Sequence, residues 1–328
     1  MSSGKNIVIL TPVFDDWESV FVLLAQLDDE LKENGYQATV VIVDDGSPTF
    51  IDTLDFGVLD LSAIREVIVV TLTRNMGNQR AIATGFGYVA SNIECDMLVV
   101  MDSDLEDQPK YVPQLIAEAE KFENKIVFAN RTRRSEGFVF KVLYQIYRRL
   151  YKVLTGMSIS VGNFSAVPGR LVKRIAGISE IWSHFPAGIM RARVPFTMMP
   201  TTRGKRLYGR GKSNIVALVI HGLSGFAVHA DVVGVRIVIT IFGIGIAVLA
   251  ALVLVIAKRF FFDFFVQGWT SLVVIILGLA VIQAFMAAIF MAFLVLSGRN
   301  YRQVIPAVDY KDFILETEKV FPAKKRQA

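Results

Sequence analysis

Two stretches of this chain, residues 237–257 and 268–298, run on without a single Asp, Glu, Lys or Arg. At a helical rise of about 1.5 Å per residue, each is long enough to cross a hydrocarbon core roughly 30 Å thick. Buried helices of soluble cores rarely reach this length and purity. The link between them, 258–267, is short and aromatic, so the pair is expected to form a helical hairpin. Trp269 and the phenylalanines before it suit an interfacial belt. A hairpin returns both ends to one side. Arg299, Arg302, Lys324, Lys325 and Arg326 assign that side to the cytoplasm, and Lys258 with Arg259 in the link offset the asymmetry a little.

The apolar excess belongs to that region. Hydrophobic residues are 53% of the chain, and they concentrate after about residue 215. The sequence therefore divides into a soluble domain over 1–213 and a juxtamembrane amphipathic segment over 214–233. Two spans follow within 234–298 (about 235–257 and 268–297), and then a basic cytoplasmic tail over 299–328. The first residues lead straight into a strand-like run with no charged and apolar leader, so a cleaved signal is not expected. One cysteine, Cys95, excludes an internal disulfide and any multi-cysteine metal site. The net charge of +5 suits an anionic membrane surface, phosphorylated substrates or nucleic acid. A nucleic-acid-binding protein would explain the charge but not the hairpin, so nucleic acid is not expected as a partner.

Within the soluble part, apolar runs alternate with helical patterns. Residues 6–11, 38–43, 65–72 and 96–101 read as buried strands, and 17–34 and 78–92 as helices. Such alternation predicts an α/β fold with a mostly parallel sheet covered on both faces. Ligands of such sheets bind outside the carboxyl ends of the strands. Three polar clusters sit at three successive strand ends, so they are predicted to converge on one crevice. Residues 138–154 form a basic amphipathic helix bearing Lys141, Arg148, Arg149 and Lys152. It fits either a membrane surface or a helix laid over the sheet with solvated cations.

Asp102-Ser103-Asp104 follows an all-apolar strand. Two carboxylates one residue apart can hold Mg2+ or Mn2+ together with a diphosphate, since these ions take carboxylate oxygens supplemented by phosphates and water. The same residues could form a solvated turn, or an acidic cap for the helix begun by Pro109, with Asp107 in the N-cap region. Asp44-Asp45-Gly46-Ser47 offers acceptors for a base or ribose and a glycine for close backbone approach, or else a turn. Arg74-Asn75-Met76-Gly77 adds a cation at the third strand end. Basic loops at 131–134 and 203–213 fit a site that must bring two anions together, or ordinary surface charge. Gly209–Ser213 fails as a nucleotide-hydrolase phosphate loop, because position 206 is Arg206 and no strand leads into it. The three histidines, His184, His221 and His229, are scattered and suggest no metal site; the last two are expected in an interfacial helix.

Taken in order, Thr11-Pro12-Val13, Val43–Ser47, Arg74–Gly77, Met101–Asp107, Arg131 with Arg134, Asn163-Phe164 and Arg206 with Gly209, Lys212 and Ser213 resemble the polyprenyl-phosphate glycosyltransferases of family 2. That group includes dolichol-phosphate mannose synthases and bacterial undecaprenyl-phosphate glucosyltransferases. The resemblance implies a GT-A, Rossmann-like fold with a two-helix transmembrane hairpin. It implies an inverting transfer from a UDP- or GDP-sugar to polyprenyl phosphate on the cytoplasmic face of a bacterial inner membrane. By the same resemblance, Pro12, Asp44, Asp45, Gly46, Arg74, Asp102, Ser103, Arg206 and Lys212 would bind the donor. Asp102 and Asp104 would serve Mg2+ or Mn2+. Arg131 and Arg134 would meet the acceptor phosphate, and Asp104 and Asn163 would complete the catalytic group.

Two positions depart from that pattern. Asn163 stands where many relatives carry an aspartate proposed as base, and a carboxamide cannot take up a proton. A phosphomonoester has its second pKa near ~6, so the acceptor is largely dianionic at neutral pH without a base. Asp231 stands where relatives often have serine and proline. These departures keep open a hydroxyl acceptor, such as a glycolipid or polysaccharide, and a non-catalytic nucleotide-sugar-binding membrane protein. The Gln-x-x-Arg-Trp of processive synthases does not occur. The amphipathic segments and long second span leave room for a homo-oligomer among membrane lipids.

Overall fold

The computed structural model describes residues 4–49, 51–131, 138–157, 161–204, 222–261, 268–299 and 302–322. They form two compact units. The first draws on Met1–Arg148, Ser158–Val228 and Gln303–Ala328, and the second on Arg149–Met157 and His229–Arg302.

The first unit is built on β1 (Ile7–Val13), β2 (Ala38–Asp44), β3 (Ile64–Leu72), β4 (Met97–Val100), β5 (Ile126–Arg131), β6 (Ser165–Pro168), β7 (Phe196–Thr201) and β8 (Ile314–Phe321). These join in one eight-stranded sheet of order β7-β5-β6-β4-β1-β2-β3-β8. Strands β1 to β4, β5 and β7 run in one direction, while β6 and β8 are antiparallel to their neighbours. Every residue of β1 and β4 is shielded and β2 nearly so, whereas β3 alternates buried positions with half-buried ones and an exposed Arg65. That burial requires helices on both faces.

Helix α1 (Trp17–Glu33) turns Trp17, Val20, Leu23, Leu24, Leu27 and Leu31 inward, at the three- and four-residue spacing of one helical face. Buried among them is Asp28. Its carboxylate accepts from the backbone N–H groups of Ser62, Ala63 and Ile64 at 2.7 to 3.0 Å, and so pins the entry to β3. Burial pushes Asp28 up, but the hydrogen bonds from Ser62, Ile64 and Ala63 outweigh it and hold the carboxyl below its ordinary value. Helix α2 (Asn78–Asn92) matches its predicted bounds. Helices α3 (Val112–Ala119), α4 (Phe138–Thr155), α5 (Gly169–Ala176) and α6 (Phe185–Arg191) complete the soluble part. His184 caps α6, its Nδ1 accepting from Ala187 N.

The segment read as a basic tail does more than trail into solvent. After the short turn Pro306–Asp309, β8 pairs antiparallel with β3, from Leu72↔Ile314 to Val67↔Phe321. Thr73 N donates to Phe313 O at 2.9 Å, Asn92 Nδ2 donates to the Tyr310 hydroxyl at 3.0 Å, and the rings of Trp182 and Phe313 lie 4.6 Å apart. Ile-Leu-Glu-Thr-Glu-Lys-Val-Phe has no clean period of two. Charged, exposed residues are what an edge strand carries, so periodicity could not reveal it.

The second unit contains the apolar helices α7 (Ala230–Phe261) and α8 (Trp269–Arg299). Both are candidate membrane spans, over Ala230–Lys258 and Ser271–Gly298, with mean hydropathies of 3.0 and 2.8. Almost nothing in either is buried within the protein, which is how a span differs from a core helix. They meet along small residues. A Cβ on Gly234 would run into the side chain of Val295, and one on Gly245 would touch the Ala284 methyl at 3.6 Å. Close approach at small residues is the kind of packing that holds helices together where lipid would offer no hydrophobic drive. The last turn of α4 belongs to this unit. Arg236 Nη1 donates to Val153 O at 2.6 Å, and the Tyr151 and His229 rings meet edge-on at 5.9 Å.

Candidate active site

Strand order reverses between β1 and β4, where a crevice must open. The carboxyl ends of β1, β2, β3 and β4 face it, joined by those of β5 and β7 and by the start of β6. The three polar clusters do converge there.

Buried Pro12 lies in β1 beside Val43 of β2. Asp44 Oδ1 accepts from Ser47 N at 3.0 Å and from the Ser47 hydroxyl. Asp45 spends both oxygens on backbone: Oδ1 accepts from Met76 N at 2.7 Å and Oδ2 from Gly77 N at 2.8 Å. It thereby anchors the turn that starts α2. Burial raises the pKa of both carboxyls, against lowering by these same hydrogen bonds. Gly46 has φ +70°, and a Cβ there would lie 2.6 Å from the Arg74 carbonyl carbon. The Asp44–Ser47 and Arg74–Gly77 clusters touch through bare backbone, and the side chain of Arg74 is left exposed.

The cluster at the end of β3 meets that at the end of β4 through Asn78, whose Nδ2 donates to Asp102 Oδ1 at 3.1 Å. The same oxygen accepts from Asn163 Nδ2 at 3.5 Å. Ser103 is buried between the two aspartates. Asp104 Oδ1 accepts from Glu106 N at 3.1 Å. Burial, then the charges of Asp102 and Glu106, push the Asp104 carboxyl up to about 7, a climb that the Glu106 N–H only partly opposes. Leu105 is held at φ +64°, a left-handed conformation uncommon for a non-glycine residue and frequent where function requires strain. Asp107, expected near a helix N-cap, folds back to accept from Asp102 N at 3.1 Å, and Gln108 takes the cap position.

The base of the later basic loop is bound to this acidic turn. Gly204 N donates to Glu106 O at 2.9 Å, Arg203 Nε to Glu106 Oε2 at 2.8 Å, and Gln108 Nε2 to Thr202 O at 2.7 Å. The backbone of Arg131 ends β5 in register with Thr201 of β7, at the same sheet edge. Arg134, Arg206 and Lys212 lie outside the described residues, as do Lys205, Gly209, Ser213 and His221. Asn78 closes the polar cluster at the third strand end, whereas Gln79, as an amide in the first turn of a helix, carries no signal in the sequence.

Four carboxylates thus crowd one turn, those of Asp102, Asp104, Glu106 and Asp107. Of these, Asp102 and Asp104 fit a hard divalent cation, whose charge would offset the burial and the neighbouring carboxylates that drive Asp104 upward. Among the described residues no cluster of three or more His, Cys, Asp or Glu forms a self-contained metal site. Two carboxylates completed by a diphosphate and water remain the arrangement that Mg2+ or Mn2+ accepts.

The model of the family called glycosyl transferase family 2 matches residues 9–175, just over half of the chain and all three strand-end clusters. The chain belongs to that family. Among curated family-2 relatives, the undecaprenyl-phosphate 4-deoxy-4-formamido-L-arabinose transferase of Klebsiella pneumoniae is 28% identical over 160 residues. The match covers 47% of this chain and 46% of that protein, so it spans under half of the relative's length. Among solved structures, glucosyl-3-phosphoglycerate synthase of Mycobacterium tuberculosis, crystallised with Mn2+, UDP-glucose and phosphoglyceric acid, aligns with a TM-score of 0.51. At 14% identity, over 71% of this chain and 81% of that one, the likeness establishes the shared GT-A fold.

Proposed function

We propose that this family-2 protein is a membrane-anchored inverting glycosyltransferase that moves a hexose from a UDP- or GDP-sugar to polyprenyl phosphate. The observation that carries the reading is the acidic turn at the switch point. Asp102 is held by two carboxamides and Asp104 is driven up to about 7 beside it. Asp102 and Asp104 would hold Mg2+ or Mn2+, which when bound neutralises the charge growing on the nucleoside diphosphate leaving group. Pro12, Asp44 and Gly46 line the base and ribose side, Asp45 shapes that wall by gripping Met76 and Gly77, and Arg74 faces the phosphates. Arg131 and Arg134 orient the acceptor phosphate for attack on the anomeric carbon from the face opposite the leaving group. Arg206 and Lys212, farther along the basic loop, are assigned to the donor as cations for its phosphates. The acceptor arrives ionised, so positioning and charge neutralisation carry the reaction and Asn163 has no proton to take.

The membrane part supports a lipid-linked acceptor, as does the printed activity of the Klebsiella relative on undecaprenyl phosphate. Chain segments on either side of the apolar helices, up to Val228 and from Gln303, fold into one unit with β8 on β3. That shared unit supports an even number of crossings, as in a hairpin. Helix α4 leaves Ile146, Leu150 and Val153 exposed beside exposed Arg148, Arg149 and Lys152. That pattern favours the membrane-surface reading of α4 over the sheet-covering one. The domain assignment that follows is a cytoplasmic GT-A domain over 1–213 rejoined by the returning C-terminal segment, on the inner membrane of a bacterium.

The test incubates the full chain in membranes with labelled UDP- and GDP-sugars, with and without polyprenyl phosphate. An acid-labile lipid-linked product that requires a divalent cation is expected. Nucleoside diphosphate released regardless of the lipid phosphate, or an acid-stable glycolipid, would overturn the acceptor assignment.

A further inference from the structure

The carboxamides around Asp102 form a chain whose direction is set at its far end. The backbone N–H of Phe185, buried at the start of α6, can only donate, and it donates to Gln79 Oε1 at 2.7 Å. That fixes which way the Gln79 amide lies, so its Nε2 faces outward and donates to Asn163 Oδ1 at 3.1 Å. Asn163 is fixed in turn, with its oxygen toward Gln79 and its NH2 toward Asp102 Oδ1 at 3.5 Å. An amide nitrogen and oxygen are otherwise interchangeable in shape, and only the network decides between them. Gln79 is 9% exposed, so water does not compete for these bonds.

We propose that Gln79 is a positioning residue that fixes the Asn163 carboxamide with its NH2 toward Asp102. This inference rests on the reading of Asp102 as a cation and diphosphate ligand. At 3.5 Å the last link is long for a hydrogen bond, and its importance lies in the sign of the dipole. With Asn163 turned over, a carbonyl oxygen would face the carboxylate and repel it. As observed, Asn78 and Asn163 both direct NH2 groups at Oδ1, which holds the carboxylate plane and leaves Oδ2 for the cation. A carboxamide at 163 also adds no further negative charge to a turn that holds Asp102, Asp104, Glu106 and Asp107.

The relay distinguishes two substitutions of nearly equal shape. Gln79→Glu keeps an acceptor for the Phe185 N–H but loses the donor, so Asn163 would turn its NH2 toward the new carboxylate and its oxygen toward Asp102. Gln79→Met removes both links. The full chain in detergent would be titrated with Mn2+ in the presence of UDP, free Mn2+ being read by electron paramagnetic resonance, with thermal unfolding followed alongside. Outer-shell partners of metal ligands are typically worth about 10- to 100-fold in metal affinity, and a loss within that range is expected for both variants. Gln79→Glu retains the Phe185 bond but buries a carboxylate, so it should unfold below the parent temperature while remaining folded at the temperature of the titration. In an Asn163→Ala background, Gln79→Met should cost nothing further. Parent-like Mn2+ affinity in Gln79→Glu, or equal losses from Gln79→Met with and without Asn163→Ala, would overturn the relay. Asp102→Ala serves as the reference: if it too binds Mn2+ like the parent, the cation assignment itself fails, and the relay with it.

Discussion

The crevice at the sheet's edge and the apolar helix pair are both tightly packed, but they are held by different forces. In the crevice the fixed points are directional: Asp45 on two backbone N–H groups, Asp102 beneath two carboxamides, and Gly46 against the Arg74 backbone. Between α7 and α8 the fixed points are shapes, Gly234 against Val295 and Gly245 against Ala284. The first region should therefore be sensitive to exchanges of charge or donor at constant volume. The second should be indifferent to those and sensitive to added methyl groups.

The largest effect is expected from Asp102→Ala, with turnover down by about 10³-fold or more while the protein stays folded and membrane-bound. Near-parent transfer by that variant would remove the crevice from the comparison. Gly46→Val comes next. It places a branched side chain at φ +70° against backbone that cannot give way, for roughly 2–4 kcal/mol of stability and a loss of nucleotide binding, both readable by thermal shift with and without UDP. Asp28→Asn should cost about 1–3 kcal/mol, because three backbone donors lose their charged acceptor. Its folded-state pKa lies below the ordinary 3.8, so its contribution is present above that value and fades as pH falls through the lower one. Acid unfolding of the parent but not of the variant should show that loss.

Asp104 carries the opposite sign. Its folded-state pKa of about 7 lies above 3.8, so the metal-free folded state binds the proton more tightly than the unfolded chain does. The group therefore weakens the fold progressively as pH rises from about 3.8 to about 7. Asp104→Asn should melt higher than the parent at pH 8 without metal, yet lose transfer; a lower melting temperature would contradict the electrostatic account. The smallest effect is expected in the hairpin. Gly234→Val should loosen the helix pair by on the order of 1 kcal/mol and leave UDP binding unchanged. If it instead weakens UDP binding, the two regions are not independent.

Much of this was legible before any coordinates. Apolar period and length marked out the strands β1 to β4, both long apolar helices and the strand end that carries Asp102 and Asp104, because burial and uninterrupted apolar length leave a local mark. Strand β8 left none, since its pairing with β3 lies in backbone bonds to a distant segment and its side chains are those of an edge. Asp45 is legible as a carboxylate at the end of β2, but its use as an anchor for Met76 and Gly77 needed the fold.

What the sequence determined by itself is the pattern of burial: a sheet protected on both faces, two helices fit for lipid, and carboxylates stranded at a strand end. Solvation alone dictates these, residue by residue. What only the tertiary structure decided is direction and partnership. Gln79, Asn163 and Asp102 lie 84 and 61 residues apart along consecutive links of one relay, and which amide atom faces which follows from the Phe185 N–H at its end. A hydrogen bond depends on geometry between atoms that the linear order does not bring together.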